Sequence, residues 1–474
     1  DRKQKIVPRT SSTNIGLSLL AVISAYDMGY IEQEKAIELL EKIITTVNTL
    51  PKWNGHLYNW YQIQTKEPLI PRYISTVDSG NFVGYLYTVK SFLKEIKNSN
   101  PEKINHIIQI IDDIIENTDF SLLYCKENQL FSIGFNIEEN KLTDSYYDLL
   151  ASEARQASLV AIAKKDIPVK HWNYLSRTLT ILAFEYLMPN INIPKYKGSL
   201  LDESCQFMIK SQIEYTGKLN LPWGISEAAF NVKDLQGNYQ YKAFGIPWLG
   251  LKRGLADEMV VSAYGGILAI SQAPKEVMKN IKQFQELGMY DKYGFYESVD
   301  FTPERVEKGK TASVVKTYMA HHQGLILLSL NNLFHDDILP KRFLKNPEIE
   351  AVEILLQETM PETSIIKKKK KVEKLKYKDY ENYIQNTYTK IDNRLTRGNV
   401  ISNEDYVIAM NQKGAGVSKY KDKYINRFKP TDDYPQGIFF AIKNIKTKEI
   451  WSSYYPHNDN KASKYQISFM PDKN

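Results

Sequence analysis

Between residues 12 and 359, apolar residues recur at spacings of three and four in run after run. The runs are separated by loops rich in aromatic, amide and acidic residues. Residues 12–28 read as a helix that is apolar nearly all round, capped by Thr13 or Asn14. Residues 31–50 read as an amphipathic one with Ile37, Leu40, Ile44 and Val47 on a single face, ended by Pro51. Further helices are expected at about 75–93, 100–115, 152–164, 171–175, 199–215, 256–272, 274–287, 318–330 and 347–359, with two short strands interrupting at 121–125 and 130–134. Eleven or twelve paired helices with decorated loops on alternate connections suggest a toroid of concentric helices, an (α/α)6 barrel, over residues 1–360.

The pattern changes near residue 361. Five consecutive lysines, 367–371, open a Glu/Lys/Tyr/Asn-rich stretch that reads as a basic linker over 361–400. From 401 to 474 the periodicity becomes two, with strand-like runs at 406–410, 437–442, 449–455 and 465–469, as expected for a partial β-sandwich. The charge is divided along the same line. Residues 361–474 carry 23 Lys and Arg against 13 Asp and Glu, whereas the helical part is slightly acidic. Nucleic acid is therefore not expected as the ligand of the helical part. Its loops instead place many of the 32 tyrosines beside Asn, Gly, Asp or Glu, a surface suited to neutral polyhydroxylated ligands. No apolar run approaches the length of a membrane span, and the chain opens with neither an initiator Met nor a basic-then-apolar stretch, so it reads as a piece of something longer. The two cysteines, Cys125 and Cys205, could form one bridge but suit a reducing compartment better. CxxC, HExxH, GxSxG, Walker and GxGxxG motifs are all lacking, so no metal and no cofactor is expected.

What remains for chemistry is carboxylates among aromatics. Trp223-Gly-Ile-Ser-Glu-Ala-Ala-Phe230 puts Glu227 on a turn between Trp223 and Phe230, where an apolar wall can raise a carboxyl pKa. The alternative is a helix start with Ser226 as cap. Glu153 is expected in the first turn of a helix capped by Ser152, either as a reacting acid or paired with Arg155 or a later lysine. Glu297 and Asp300 sit in an aromatic segment beginning at Tyr293, and either could bind hydroxyls or act as a second carboxylate. His321 and His322 open a helix, where adjacent side chains diverge too far to share one metal. Paired carboxylates in an aromatic groove point to glycosidic bond cleavage or transfer.

Several motifs occur together and in order: Arg9-Thr-Ser-Ser-Thr-Asn-Ile-Gly16, Ser75-Thr-Val-Asp-Ser-Gly-Asn81, Trp223-Gly-Ile-Ser-Glu227, Asp234-Leu-Gln-Gly-Asn-Tyr-Gln-Tyr-Lys-Ala-Phe244, Gly250-Leu-Lys-Arg-Gly-Leu-Ala-Asp257, Tyr293-Gly-Phe-Tyr-Glu297 and Tyr318-Met-Ala-His-His-Gln-Gly324. Through about 9–358 the chain resembles the cyclic β-1,2-glucan synthase family, in its middle, glucoamylase-like transglycosylation domain. Residues after about 400 resemble the start of the phosphorylase-like β-sandwich. The resemblance implies an (α/α)6 barrel acting on linear β-1,2-glucan with retention, cyclizing the chain. It implies Glu227 as nucleophile and Glu153 as general acid/base, with their carboxyls roughly 5–5.5 Å apart. Asn59, Trp60, Asp78, Trp223, Tyr241, Trp248, Tyr296, Glu297, His321 and His322 are the expected subsite residues. It also implies a larger membrane-associated synthase, with this part on the cytoplasmic side. β-1,2-Glucan hydrolysis and a glucan-binding module without catalysis are the alternatives. One departure stands out. Family members have a longer segment before Phe184-Glu-Tyr-Leu-Met-Pro189, carrying Trp-Ser-Gly, and the stretch from Arg177 to Ala183 is too short to hold it.

Overall fold

The structure, a computed structural model, describes residues 6–96, 100–177, 183–234, 237–247, 256–307, 309–359, 386–390, 398–402, 405–421, 423–426, 440–452 and 464–469. The chain forms two compact units, Asp1–Ser364 and Ile365–Asn474.

In the first unit the described helices are α1 (Ser12–Asp27), α2 (Gln33–Thr49), α3 (Thr76–Glu95), α4 (Pro101–Asn117), α5 (Arg155–Ala163), α6 (His171–Tyr174), α7 (Ala183–Leu187), α8 (Leu200–Lys218), α9 (Ala263–Ile267), α10 (Pro274–Glu286), α11 (Ala320–Phe334), α12 (Ile338–Leu344) and α13 (Pro347–Glu350). Their burial follows their sequence patterns. α3 is buried almost throughout, from Thr76 to Leu93, and α5 along its whole length. α4 buries only the isoleucine face of Ile104, Ile107, Ile110, Ile111, Ile114 and Ile115, and α10 only Val277, Asn280 and Phe284. The neighbours agree with this division. α1 packs on α2, α3 and α11; α3 on α4, α5 and α12; α7 on α8 and α9; and α9 on α10 and α11. α12 is tied back by Arg342, whose guanidinium donates to Asp27 at 2.6 and 2.8 Å and to Glu95 at 2.9 Å, joining the ends of α1 and α3.

Small residues set the closest approach. A Cβ on Gly80 would lie 2.3 Å from the Ala157 Cβ and 2.4 Å from its Cα, so α3 and α5 touch backbone to backbone. Beside this contact Gln156 donates to the Asn81 carbonyl at 3.3 Å and accepts from the Asn192 amide at 3.2 Å.

Several expectations are corrected. The cap of α1 is Ser11, whose side chain accepts from Asn14. Residues 121–125 begin as a 3-10 turn, Phe120–Leu123, and only Tyr124–Cys125 is strand. The helix expected at 256–272 is instead a strand, Val260–Val261, followed by the short α9. The buried β-branched pair adds to Ser298–Asp300, and Gly265 and Gly266 lie against the backbone of Gly224 and Trp223. The helix at 347–359 stops at Glu350 and continues as a 3-10 turn, Glu353–Gln357. α7, α12 and the hairpin Ala228–Lys233/Tyr239–Lys242 were not expected. Both cysteines are free thiols.

The second unit is antiparallel β. Gly398–Ser402, Tyr406–Asn411, Gly416–Tyr420 and Lys423–Tyr424 form a meander, while Ala441–Lys443 pairs with Ile450–Ser452 and Asn386–Tyr388 with Ile467–Phe469. The lysine run lies outside the described residues.

Gly80→Ala should lower the unfolding free energy by about 1–3 kcal/mol, because the added methyl meets helix backbone and not a flexible side chain. Urea denaturation of the full chain measures this, and unchanged stability would contradict the backbone contact.

Candidate active site

Glu153 stands in a turn just ahead of α5, and not inside its first turn as expected. Ser152 closes that turn: its Oγ accepts from the Ala154 N–H at 3.1 Å and its carbonyl from the Arg155 N–H at 3.2 Å. Arg155 does not pair with Glu153. Its guanidinium, 1% exposed, donates to the carbonyls of Ser152, Glu185 and Tyr186 and to the Asn190 side chain, at 2.6 to 3.1 Å. These bonds clamp the start of α5 onto α7. As a result the Glu185 carboxylate accepts the Glu153 backbone N–H at 3.0 Å.

α7 is joined to the Glu227 loop in turn. The Phe184 N–H donates to Ser226 Oγ at 3.2 Å, and the Tyr264 hydroxyl donates to the Glu227 carbonyl at 2.7 Å. Buried amides hold the loop itself. Gln212 from α8 accepts from the N–H groups of Gly224 and Ile225 and donates to the Ile225 carbonyl, while Asn280 from α10 bonds both backbone groups of Trp223. Gly224 is required here: its φ is +128°, and a Cβ would lie 2.3 Å from the Ser262 carbonyl oxygen. Glu227 therefore leads a strand, Ala228–Lys233, and is not at a helix start.

The carboxyls of Glu153, Glu185 and Glu227 consequently form one cluster. Burial holds Glu153 well above the ordinary carboxyl range, with the charges of Glu185, Glu227 and Asp78 adding to it. Burial, then Glu185, pushes Glu227 up to about 7, against a hydrogen bond from Tyr241. Burial also raises Glu185, which the Glu153 N–H and the Arg155 charge partly offset.

A second network lies against Glu227. Tyr241 on the strand Tyr239–Lys242 puts its hydroxyl 3.3 Å from Glu227 Oε2 and 3.4 Å from His322 Nε2. The His322 ring is stacked on Tyr264 with centroids 3.6 Å apart, and its Nδ1 lies 2.9 Å from both carboxylate oxygens of Glu297. Glu297 also accepts the Ala229 N–H at 3.1 Å. At 2% exposure Glu297 serves His322 and the strand, and offers no free carboxylate to a ligand. Asp300, fully buried, takes N–H groups of Asn231 and Thr302 and the guanidinium of Arg305, so it too is structural.

The other expected residues are distributed as follows. Asp78 is in the first turn of α3 and accepts from the Asn59 amide at 3.2 Å, while Asn59 Oδ1 is buried without a hydrogen-bond partner. Trp60 carries the Arg9 guanidinium over its ring at 4.9 Å. Trp223, 5% exposed, lies in the core behind its loop and is no exposed wall for a sugar ring. Tyr296 bonds Asp291 and stands beside Tyr318. His321 is half-buried, 4.0 Å ring to ring from His322, and burial holds it down at about 3. Trp248 lies outside the described residues, as do 178–182 of the shortened segment. The residue missed from sequence is Glu185. Its signal was a lone acid in the otherwise apolar run Ala183-Phe-Glu-Tyr-Leu-Met188.

The chain is 30% identical, over 94% of its length, to the cyclic β-(1,2)-glucan synthase NdvB of Rhizobium meliloti. The similarity is thus to one part of a cyclic β-1,2-glucan synthase. It spans only 21% of the length of NdvB, and the alignment runs over 585 positions, more than this chain has, so NdvB carries stretches absent here. The Glycoamylase family model matches residues 199–347, and the glycosyl hydrolase 94 supersandwich domain matches 381–474. Among solved structures, the first unit's fold is similar to the β-1,2-glucanase of Parabacteroides distasonis (TM-score 0.59, 13% identity, 74% of this chain and 55% of that one). It is also similar to the endo-β-1,2-glucanase of Chitinophaga pinensis (TM-score 0.55, 16% identity, 74% and 88%). By name these relatives are carbohydrate-active enzymes. The shared architecture is helical, with sheet added in the C-terminal unit.

Neutralising Glu185 removes a like charge beside both other carboxyls. In Glu185→Gln, carboxyl titrations of Glu153 and Glu227, followed by NMR of glutamate-labelled protein, should both move to lower pH. Unmoved titrations would separate Glu185 from the cluster.

Proposed function

We propose that the first unit is a glycoside hydrolase-type transglycosylase acting on linear β-1,2-glucan, with Glu227 as nucleophile and Glu153 as general acid/base. The observation that carries this reading is the joining of Glu153 and Glu227 through Glu185 and Ser226, in surroundings whose burial raises both carboxyls. Buried carboxyls that raise one another cannot all ionise at once, which suits one acid beside one anion. In the first step Glu227 bonds to the anomeric carbon, the glycosidic bond breaks, and the leaving oxygen takes its proton from Glu153. In the second, Glu153 accepts the proton of an incoming 2-hydroxyl as that oxygen displaces Glu227. Attack by the chain's own 2-hydroxyl closes a ring and retains configuration. Hydrolysis is the second reading, favoured by the likeness to the two solved glucanases, and differs only in that water attacks. A binding module without catalysis is the third, favoured by the short stretch before Phe184.

The scaffold of the proposal is an (α/α)6 barrel. Support comes from the odd-numbered helices α1, α3, α5, α7, α9 and α11, which neighbour one another in sequence of space, while α2, α4, α8 and α10 each cover one of them. We also propose that the chain works as part of a larger, membrane-associated synthase on its cytoplasmic side, as a relative of much greater length suggests. No helix among the described residues is long and apolar enough to cross a membrane.

Incubation with linear β-1,2-glucan distinguishes the readings: rings without reducing ends, short reducing oligomers, or binding without turnover. kcat/KM should fall on the acidic side as Glu227 takes up a proton, near pH 7, and on the alkaline side as Glu153 loses one.

Glu227→Gln should abolish turnover and keep glucan binding; a wild-type rate would overturn the assignment. Its effect on stability also has a definite sign. Between the ordinary value of 4.5 and about 7, the folded protein holds a proton that the unfolded chain has lost, so stability falls as pH rises through that window. The melting temperature of Glu227→Gln should therefore exceed that of the parent at pH 8, with the gain lost by pH 4.

A further inference from the structure

The Tyr241 hydroxyl has one proton and two acceptors. Glu227 Oε2 is 3.3 Å away and His322 Nε2 is 3.4 Å away, so neither is preferred by distance. Which one receives the proton depends on the acceptors' chemistry, and the surroundings define that of His322. Burial raises Glu297 to about 7; above that pH its carboxylate is ionised and accepts from Nδ1–H at 2.9 Å, which leaves Nε2 with its lone pair. Burial keeps the ring neutral, and the stack on Tyr264 fixes its plane. The Tyr264 hydroxyl is engaged by the Glu227 carbonyl at 2.7 Å and by Ser226 Oγ at 2.9 Å and so does not compete for the carboxylate.

We infer that Tyr241 is a switching hydrogen-bond donor in glycosyl transfer, with its O–H turned to Glu227 while that carboxylate is free and to His322 while it is esterified. The inference rests on the retaining mechanism proposed above. A free carboxylate is a stronger acceptor than a neutral imidazole nitrogen, and a charge-assisted bond results. Once Glu227 Oε1 is bonded to the anomeric carbon, Oε2 becomes an ester carbonyl, a weaker acceptor than the imidazole lone pair. Rotation about the phenol C–O bond then moves the O–H to Nε2. No proton changes owner in this motion. The leaving oxygen's proton comes from Glu153, and the incoming hydroxyl's proton returns to it. When Glu227 departs as a carboxylate, the O–H swings back and stabilises the charge that is reappearing. The hydroxyl is thus satisfied at both ends of each step, and the leaving carboxylate meets a donor that is already in place.

The other groups around Glu227 do not duplicate this role. Glu153, ahead of α5, and Glu185, on α7, are acids, and Glu185 raises Glu227 by its charge. Glu297 faces His322 and the Ala229 N–H. Lys242, next to Tyr241 on the strand, is turned to Glu258 and the Phe230 ring. His321 touches the Tyr241 ring edge, with centroids 6.3 Å apart, and is held neutral by burial. Tyr241 keeps 39% of its surface exposed although its hydroxyl is enclosed, so its removal is not expected to unfold the protein.

The test uses the full chain and linear β-1,2-glucan. Tyr241→Phe should lower kcat by about 10- to 100-fold with little change in KM, and should move the acidic limb of the pH profile upward, because Glu227 has lost its donor. His322→Phe leaves the phenol only Glu227 as acceptor. It should also lower kcat, with the acidic limb unmoved or shifted downward. A raised KM with unchanged kcat and limb in Tyr241→Phe would make Tyr241 a binding residue only and overturn the inference. Limbs shifted upward in both variants would overturn it as well. If His322→Phe fails to fold, Tyr241→Phe decides the matter by itself. A wild-type rate in Glu227→Gln would remove the retaining reading and this inference together. An inactive Glu227→Gln beside a Tyr241→Phe of wild-type profile would remove this inference alone.

Discussion

The buried guanidinium of Arg155 holds the candidate site together. It has no carboxylate partner among its direct hydrogen bonds. It donates to three main-chain carbonyls and one side-chain amide, drawn from the turn before α5 and from α7 with the residues just after it. Desolvation lowers it only to about 10, so it remains a cation at neutral pH. That placement does two things at once. It fastens two segments 30 residues apart in sequence, which brings Glu185 against Glu153, and it supplies positive charge that partly offsets the burial raising Glu185. A lysine could not do both, since it lacks the planar fork that serves several carbonyls.

The rest of the site is built for rigidity by amides. Gln212 and Asn280 satisfy nearly every main-chain polar group from Trp223 to Ile225, and Gly224 lets the chain approach Ser262 closely. A loop bonded on all sides cannot relax when its carboxyl loses or gains charge, and such preorganisation gives a transition state its electrostatic support. The cost appears in the raised carboxyls. Glu153, Glu185, Glu227 and Glu297 are all held above their ordinary range, each chiefly by burial. Four such groups in one region weaken the fold at neutral pH, and the long apolar faces of α1, α3 and α5 supply the stability that tolerates them.

Long elements were legible in the sequence, and short ones were not. α2, α3, α4, α8, α10 and α11 all fall where apolar spacing places them, because each is long enough for its period to repeat. α7 has five residues and α12 seven, too few for a period to register, and both are held by contacts from distant segments. The strand at Val260–Val261 was read as helix because its pairing with Ser298–Asp300 spans 40 residues of sequence. Likewise the signals at Glu153 and Ser152 were sound as residue types but misplaced by a turn. Ser152 closes the turn and the helix starts at Arg155.

By itself the sequence determined the helical class of the first unit, the change to strands after it, and the loop carrying Glu227 as a turn between aromatics. Those properties depend on local spacing, on Pro and Gly, and on side-chain type. Only the tertiary structure decided which acids meet. Glu185 entered the cluster through the Arg155 clamp, Glu297 and Asp300 were withdrawn from it by buried partners, and Trp223 was turned into the core. Each outcome depends on hydrogen bonds between segments tens of residues apart, and no local pattern encodes which donor will reach which carboxylate.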